Sequence, residues 1–264
     1  MNQKTILGTV TAVVIVVALA QYSRSQSAAN FDNSGFVDGA INVTLLNNAG
    51  VMIEVGDQRI YIDPVDLPSS YSDLPADAIL ITHEHGDHCQ NEVIDMLQKE
   101  GTMNVFPIIM RVQIEKHDGI GVAPEDELMM GDIRITPFYM YTFAPDPSMS
   151  ASHPAESQYT SYIVDIGGFT IFHGGDSKNL DEYRDLTGTI NVAMLPLGPG
   201  CQTMAEDEVV AALGAIEPDY FIPIHFQGDA NDQFCARFRG SIEAIAGCEV
   251  CNLDHYTTQA FEIT

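Results

Sequence analysis

His83, His85 and His88 fall within six positions of "THEHGDH" (82–88), with Asp87 among them. Neutral imidazoles and carboxylates are ligands for zinc and similar divalent ions. Residues two apart on an extended segment point the same way, so His83 and His85 can converge on one point. Gly86 permits a sharp bend. Beyond it, Asp87 and His88 can reach a second point. Two such points would make a two-metal site, in which the ions typically stand about 3.5–4 Å apart. The competing reading is a solvent-exposed histidine-rich loop without a role. The motif, however, directly follows the apolar run "AILIT" (78–82). Polar groups crowded at the end of a buried strand are costly unless something binds them.

The elements that must hold these residues are read from hydropathy and turn signals. "INVTLL", "VMIEV" and "RIYIDP" read as strands, with "GDQ" turning the second into the third. "AILIT" reads as a buried strand and "NEVIDMLQKEG" as a helix, with Asn91 capping its start and Gly101 its end. The second half repeats this order. "YTSYIVDI" and "FTIFHGGD" form a hairpin about Gly167 and Gly168, and "NVAML" is a buried strand. Thr203 and Glu206 form a capping box opening a helix, and "YFIPI" is a strand ending at His225. Two mixed sheets packed face to face, with helices outside, would bury the apolar runs and gather the polar strand ends at one rim.

At this point the residues resemble a family. "THEHGDH" is similar to the metal-binding signature of the metallo-β-lactamase fold hydrolases. "AGVMIEVGDQRIYIDPV" resembles their opening hairpins, and "FTIFHGGDS" the strand that bears their bridging aspartate. "LPLGPGCQTMAEDEVVAALGAIEPDYFIPIHF" resembles the branch of standalone members that includes the ascorbate-6-phosphate lactonases. The resemblance implies an α+β fold, a four-layer αββα sandwich of two mixed sheets flanked by helices. It implies that His83 and His85 bind metal 1, that Asp87, His88 and His225 bind metal 2, and that Asp176 bridges them. It places the third metal 1 ligand at His153; His117 comes too early and in a charged stretch. Two divalent ions are implied, zinc first, with manganese or iron as alternatives.

Three further residues keep two readings each. His173 is either a residue behind the ligands or a hydrogen-bonded core histidine. Asp63 either orients a metal-bound histidine or forms the turn before Pro64. His255 is structural or exposed, and reaches the site only if the last strand returns to that rim.

Composition narrows the partners. The chain has 264 residues, 11 Lys+Arg against 37 Asp+Glu, and a formal net charge of -26. Such a surface repels a phosphate backbone, so no nucleic acid is expected. Residues 1–30 read as an export signal, or an N-terminal membrane anchor, plus a flexible lead-in, and 31–264 as the hydrolase domain. Residues 5–20 are uncharged and include "AVVIVVALA". That run is shorter than the roughly 20 residues a spanning helix needs, and the Ala18-Leu19-Ala20 that ends it fits a cleavage site. Either way the domain would lie outside the cytoplasmic membrane. Five cysteines leave at least one thiol unpaired among themselves; Cys248 and Cys251 form either a disulfide or two small buried residues.

The expected function is that of an exported metal-dependent hydrolase. A metal-bridged hydroxide would cleave a small ester, lactone, amide or phosphoester, with Asp87 handling a proton. The alternatives are a non-catalytic metal- or ligand-binding protein and a di-iron redox protein on the same fold. Loops 64–77 and 142–158 would set the choice of small-molecule substrate.

Overall fold

The computed structural model describes residues 39–198 and 200–262; the segment read as signal or anchor, residues 1–30, lies outside them. Strands β1 (Ala40–Leu45), β2 (Val51–Val55) and β3 (Gln58–Ile62) run antiparallel. β4 (Ala78–Leu80), β5 (Met103–Pro107) and β6 (Ile120–Val122) extend that sheet in parallel. The second sheet opens with β7 (Leu128–Met130), β8 (Ile133–Tyr139), β9 (Thr160–Ile166) and β10 (Phe169–His173), also antiparallel. It continues in parallel through β11 (Val192–Pro196), β12 (Tyr220–Ile224) and β13 (Glu249–Val250). Finally β14 (Thr257–Glu262) returns antiparallel along β1. Each sheet therefore has an antiparallel half and a parallel half, as the echoed sequence order predicts.

Side-chain parity explains the layers. Ile41, Val43, Leu45, Val51, Ile53, Ile60, Ile62, Ala78 and Leu80 share one core with Ile133, Ile135, Val164 and Ile166 of the second sheet. The intervening Met52, Tyr61, Ile79 and Ile81 point the other way and pack on Val93, Ile94 and Leu97 of helix α1 (Asn91–Leu97). Short helix α2 (Arg111–Lys116) lies beside β5 and β6. Helix α3 (Glu206–Ile216) buries Val209, Ala212, Leu213 and Ile216 behind the second sheet, and α4 (Ala230–Ala246) packs against α3 and β13. The result is the α+β sandwich of two mixed sheets flanked by helices.

Local chemistry departs from the sequence reading at three points. Helix α1 ends at Leu97, with Gln98 already extended, so Gly101 is not its cap; Gly101 instead takes φ +87 in the next turn. Asn91 lies inside α1, and its Oδ1 accepts from His117 Nε2 at 2.8 Å. The capping box is shifted: α3 starts at Glu206, and the Ala205 N–H donates to Glu208 Oε2 at 2.8 Å. Thr203 Oγ1 instead donates to the Gly198 and Gly200 carbonyls. The Gly167-Gly168 turn is as expected. Ile166 pairs with Phe169, and both glycines take positive φ (61° and 96°), which suits a two-residue hairpin.

One hydrogen bond joins the two sheets next to the histidine motif. Tyr162 on β9 is fully buried, and its hydroxyl donates to the Ile81 carbonyl at 2.8 Å. Tyr162→Phe leaves that carbonyl without this donor and is expected to cost about 1–3 kcal/mol. Urea unfolding would show this as a lower midpoint; an unchanged midpoint would mean that the bond contributes nothing.

Candidate metal centre

The parallel strands deliver the polar groups. His83 follows β4, Asp176 follows β10, His225 follows β12 and Asp63 follows β3. His153 comes from the long β8–β9 loop. Its N–H donates to Thr142 Oγ1 (3.0 Å) and its carbonyl accepts from the Thr142 N–H (2.8 Å). The motif itself closes in a turn, with the His88 N–H donating to the His85 carbonyl at 2.9 Å. That turn does not depend on Gly86, whose φ is ordinary and where a Cβ would meet nothing within 4 Å. The bend comes from the hydrogen bond rather than from glycine freedom.

Three ligand-type sets result among the described residues; one, Asp63 with His83 and His88, includes the carboxylate behind the histidines, and the other two face the rim. His83, His85 and His153 each bring one ligand atom into a set spanning no more than 4.8 Å, and so do Asp87, His88 and His225. Asp176 lies between them. Its Oδ1 stands 3.3 Å from His88 Nε2 and 3.4 Å from His225 Nε2, and its Oδ2 stands 3.8 Å from His153 Nε2. All seven residues named from the sequence are thus brought together. Asp176 has no exposed surface, and neither of its oxygens accepts a hydrogen bond. His83 Nε2 and His225 Nε2 are likewise buried without partners. Orphaned buried acceptors of this kind are costly unless a cation takes their lone pairs. Imidazole nitrogens with carboxylate oxygens are the donor set that zinc accepts. The residues present therefore fit the implied metals.

The outward nitrogens are set from behind. Asp63 is fully buried; its Oδ2 accepts from His88 Nδ1 at 2.8 Å and from Thr82 Oγ1 at 2.5 Å, and its Oδ1 accepts from the Thr82 N–H at 2.7 Å. The Thr82 hydroxyl, having given its proton to Asp63, accepts from His83 Nδ1–H at 3.0 Å. The Nδ1 of both His83 and His88 is thereby committed as a donor and Nε2 of each faces the centre; His88 Nε2 becomes an acceptor once it gives up its proton. Of the two readings for Asp63, the orienting one is what the geometry shows. Of the two readings for His173 the structure shows the hydrogen-bonded core histidine: it is fully buried, its Nε2–H donates to the Ala49 carbonyl at 2.8 Å, and its Nδ1 accepts from the Gly175 N–H at 3.3 Å. Gly175 takes φ +56, and a Cβ there would stand 2.6 Å from Met140 Sδ. Glycine is therefore required just before Asp176.

His117 lies apart, held between Asn91 and Gln98. The last strand does return beside β1, but His255 stacks on Phe226 (centroids 4.9 Å apart) and is not among the ligand-type groups. All five cysteines are free thiols, which decides Cys248 and Cys251 in favour of small buried residues. Burial pushes the Cys248 thiol up to about 12 and that of Cys251 up to about 11.

Sequence reasoning missed Asn48. Its side-chain amide donates to the Asp87 carbonyl at 2.9 Å, while its own carbonyl accepts from the His225 N–H at 3.1 Å. It ties the first motif to the last ligand position. The available signal was Asn47-Asn48 at a strand end, a turn pair that tolerates positive φ; Asn48 has φ 54°.

Burial lowers the pKa of His153 to about 4 and also holds His83 well below its ordinary value. Burial works against charging His88 too, but the Asp176 and Asp63 carboxylates outweigh it and hold His88 well above its ordinary value. Asp87 lies well below the usual carboxylate range, chiefly because the His225 imidazole, with Nε2 3.7 Å from its Oδ2, favours the charged form.

Comparison with known proteins shows the family and the fold. The family model described as beta-lactamase superfamily domain matches residues 42–225. A metal-dependent hydrolase of the UPF0173 group from Pyrococcus furiosus is 30% identical over 196 residues, covering 70% of this chain and 84% of its own length. The chain therefore belongs to the beta-lactamase superfamily and, within it, to the UPF0173 metal-dependent hydrolases. Among solved structures, a putative metal-dependent hydrolase from Parabacteroides distasonis aligns with a TM-score of 0.71 at 24% identity, covering 82% of this chain and 94% of that one. The metallo hydrolase Igni18 from Ignicoccus hospitalis aligns at 0.68 and 20% identity, covering 85% of this chain and 100% of that one. Both show the same fold.

Two outcomes follow from the support behind His88. Asp63→Asn is expected to weaken metal binding by about 10- to 100-fold. Competition with a chromogenic chelator measures this, and an unchanged affinity would remove the orienting role. The metal-free fold also holds a proton on His88 more tightly than a free imidazole would. Metal must displace that proton, so affinity should rise with pH, by about tenfold per unit for each proton released. Titration in buffers of different ionisation heat counts the protons; a count of zero contradicts the raised His88.

Proposed function

We propose that this centre holds two divalent cations, zinc first, and hydrolyses a small ester, lactone, amide or phosphoester. His83, His85 and His153 would hold one ion and Asp87, His88 and His225 the other, with Asp176 between them. The observation that carries this reading is the buried Asp176 carboxylate, whose unpartnered oxygens face one group each. When bound, such ions activate water and polarise the bond to be cleaved.

The chain's own residues supply the rest. Asp87 is the exposed member of the set, with about half of its side chain open to solvent, so substrate approaches from its side. Its Oδ2, 3.7 Å from His225 Nε2, is placed to accept a hydrogen bond from an attacking water and to hand a proton on to a leaving group. His83 and His153, kept neutral by burial, offer lone pairs rather than protons. The strand ends fix these groups and leave substrate choice to the loops around them. Membership of the UPF0173 metal-dependent hydrolases supports hydrolysis over metal storage and over redox chemistry.

Elemental analysis of purified protein is expected to give two equivalents of metal per chain, and Asp176→Asn should lower the occupancy of both sites. Asp87→Asn should reduce turnover on ester, lactone, amide and phosphodiester panels by about 100- to 10,000-fold. A single equivalent in the wild type, or iron with redox turnover and no hydrolysis, would sink the reading.

We also propose that the domain acts outside the cytoplasmic membrane, on the strength of the uncharged residues 5–20. Among the described residues no helix is long and apolar enough to cross a membrane. Mass spectrometry of the natural protein is expected to find Gln21 as the first residue, or Met1 in membrane fractions. Soluble cytoplasmic protein retaining Met1 would contradict export.

A further inference from the structure

Beside the metal-ligand cluster lies a second cavity, of about 340 Å³, lined by Pro124, Tyr139, Met140, Tyr141, Ala155, Gln158, Tyr159 and Glu182. Its size falls in the roughly 300–1,000 Å³ range of small-molecule sites. It is close to the centre without sharing its ligands. The Tyr159 ring lies 5.7 Å from that of His83 and 6.0 Å from that of His153, and Met140 packs against Gly175.

The lining is of one chemical kind. Three of the eight residues are tyrosines, and the one charged side chain is a carboxylate. The Tyr141 hydroxyl donates to Glu182 at 3.0 and 3.1 Å, which fixes both side chains. Phe143 abuts the Tyr141 ring edge-on at 5.5 Å. The surroundings are acidic as well. Glu125, Glu182 and Asp185 all raise the pKa of Tyr139; burial first, and then Glu182 and Asp181, raise that of Tyr141. Of the basic residues nearest Glu182 in sequence, Lys178 is paired with Glu208 at 2.6 Å, and Arg184 is exposed and does not line the cavity. Aromatic faces with a nearby carboxylate and no competing base attract an organic cation; an anion would be repelled.

We propose that this cavity binds a small organic cation, a tertiary or quaternary alkylammonium group. The ring faces attract the cation, and Glu182 balances its charge. The site is independent of the hydrolytic reading, because none of its lining residues is a ligand of the metal centre.

The test is calorimetric titration of the full-length, metal-loaded chain with choline and with its neutral isostere, 3,3-dimethyl-1-butanol. Choline is expected to bind at least about tenfold more tightly, the upper part of the cation–π range. Tyr141→Ala should weaken choline by about 5- to 30-fold, while Tyr141→Phe, which keeps the ring, should retain most of the affinity. Glu182→Gln should cost about 2- to 5-fold. Metal content measured on each variant checks that the centre is intact; should Tyr141→Ala fail to fold, Glu182→Gln and the isostere comparison decide. Equal binding of the neutral isostere would overturn the proposal in favour of an apolar pocket. Undiminished choline binding by both Tyr141→Ala and Glu182→Gln would overturn it in favour of diffuse surface attraction. Capture of the chain by phosphatidylcholine vesicles without binding of free choline would overturn the small-ligand assignment.

Discussion

A carboxylate with no exposed surface and no hydrogen-bond donor is the constraint around which this rim is built. Transfer of a charged carboxylate from water costs several kcal/mol even after relaxation, and Asp176 has no backbone or hydroxyl donor to offset it. Burial alone would push its proton affinity up. His88, His225 and His153 pull it the other way, and the net effect keeps Asp176 ionised. Only positive charge at both oxygens can balance such a group. The fold therefore has to bring cations, or protonated imidazoles standing in for them, to two points on either side. Four chain segments meet there because each ends a strand, or spans between strands, at the same edge of the sandwich.

The same electrostatic demand explains why the supporting layer is acidic and closed to water. Asp63 carries one charge to two histidines, directly to His88 and through the Thr82 hydroxyl to His83. One buried acid thus fixes the tautomer of a residue in each ligand group. Mobile imidazoles would lose rotational freedom on binding a cation; here that freedom is already gone. The neighbouring Tyr162–Ile81 bond ties the two sheets at the residue before Thr82. The Thr160 N–H adds a second tie, to the Thr82 carbonyl at 3.1 Å, so strain or slippage between the sheets would reach the histidine motif through this segment.

Most of this layout could be read from the sequence because it rests on local pattern. Strands next to the site alternate or run apolar, and the His83–His88 motif is contiguous, so spacing alone indicated convergence. His225 was marked by its place at the end of the strand "YFIPI", whereas His153 required the order of a family resemblance, since nothing local distinguishes it from His117. What escaped was decided at long range. Asn48 lies 39 residues from Asp87 and acts on its backbone, where no side-chain pattern points. The short strands β5, β6 and β7 carry three to five residues each, too few to establish a period. Helix α4 was legible in principle. Asn231, Phe234, Cys235 and Ile242 are buried at helical spacing, but the charged residues between them obscure the stripe. The cap positions moved because Asp, Glu, Thr and Asn near a helix start compete for the same few N–H groups, and the winner depends on tertiary contacts.

The backbone at the rim is where the fold spends conformational energy. Asn48, Asp63 and His225 all adopt left-handed φ, at 54°, 47° and 56°. Each sits just beyond a strand end. Non-glycine residues held outside the usual regions cost of order 1–3 kcal/mol each and persist only where neighbours over-determine them. Here the neighbours are identifiable: Thr82 and His88 hold the Asp63 carboxylate, and the Asn48 carbonyl accepts from the His225 N–H. The strained residues thus restrain one another or the ligands. At Asp63 and His225 the left-handed residue is itself the one whose side chain serves the centre, so the strained backbone and the functional group fall at the same position.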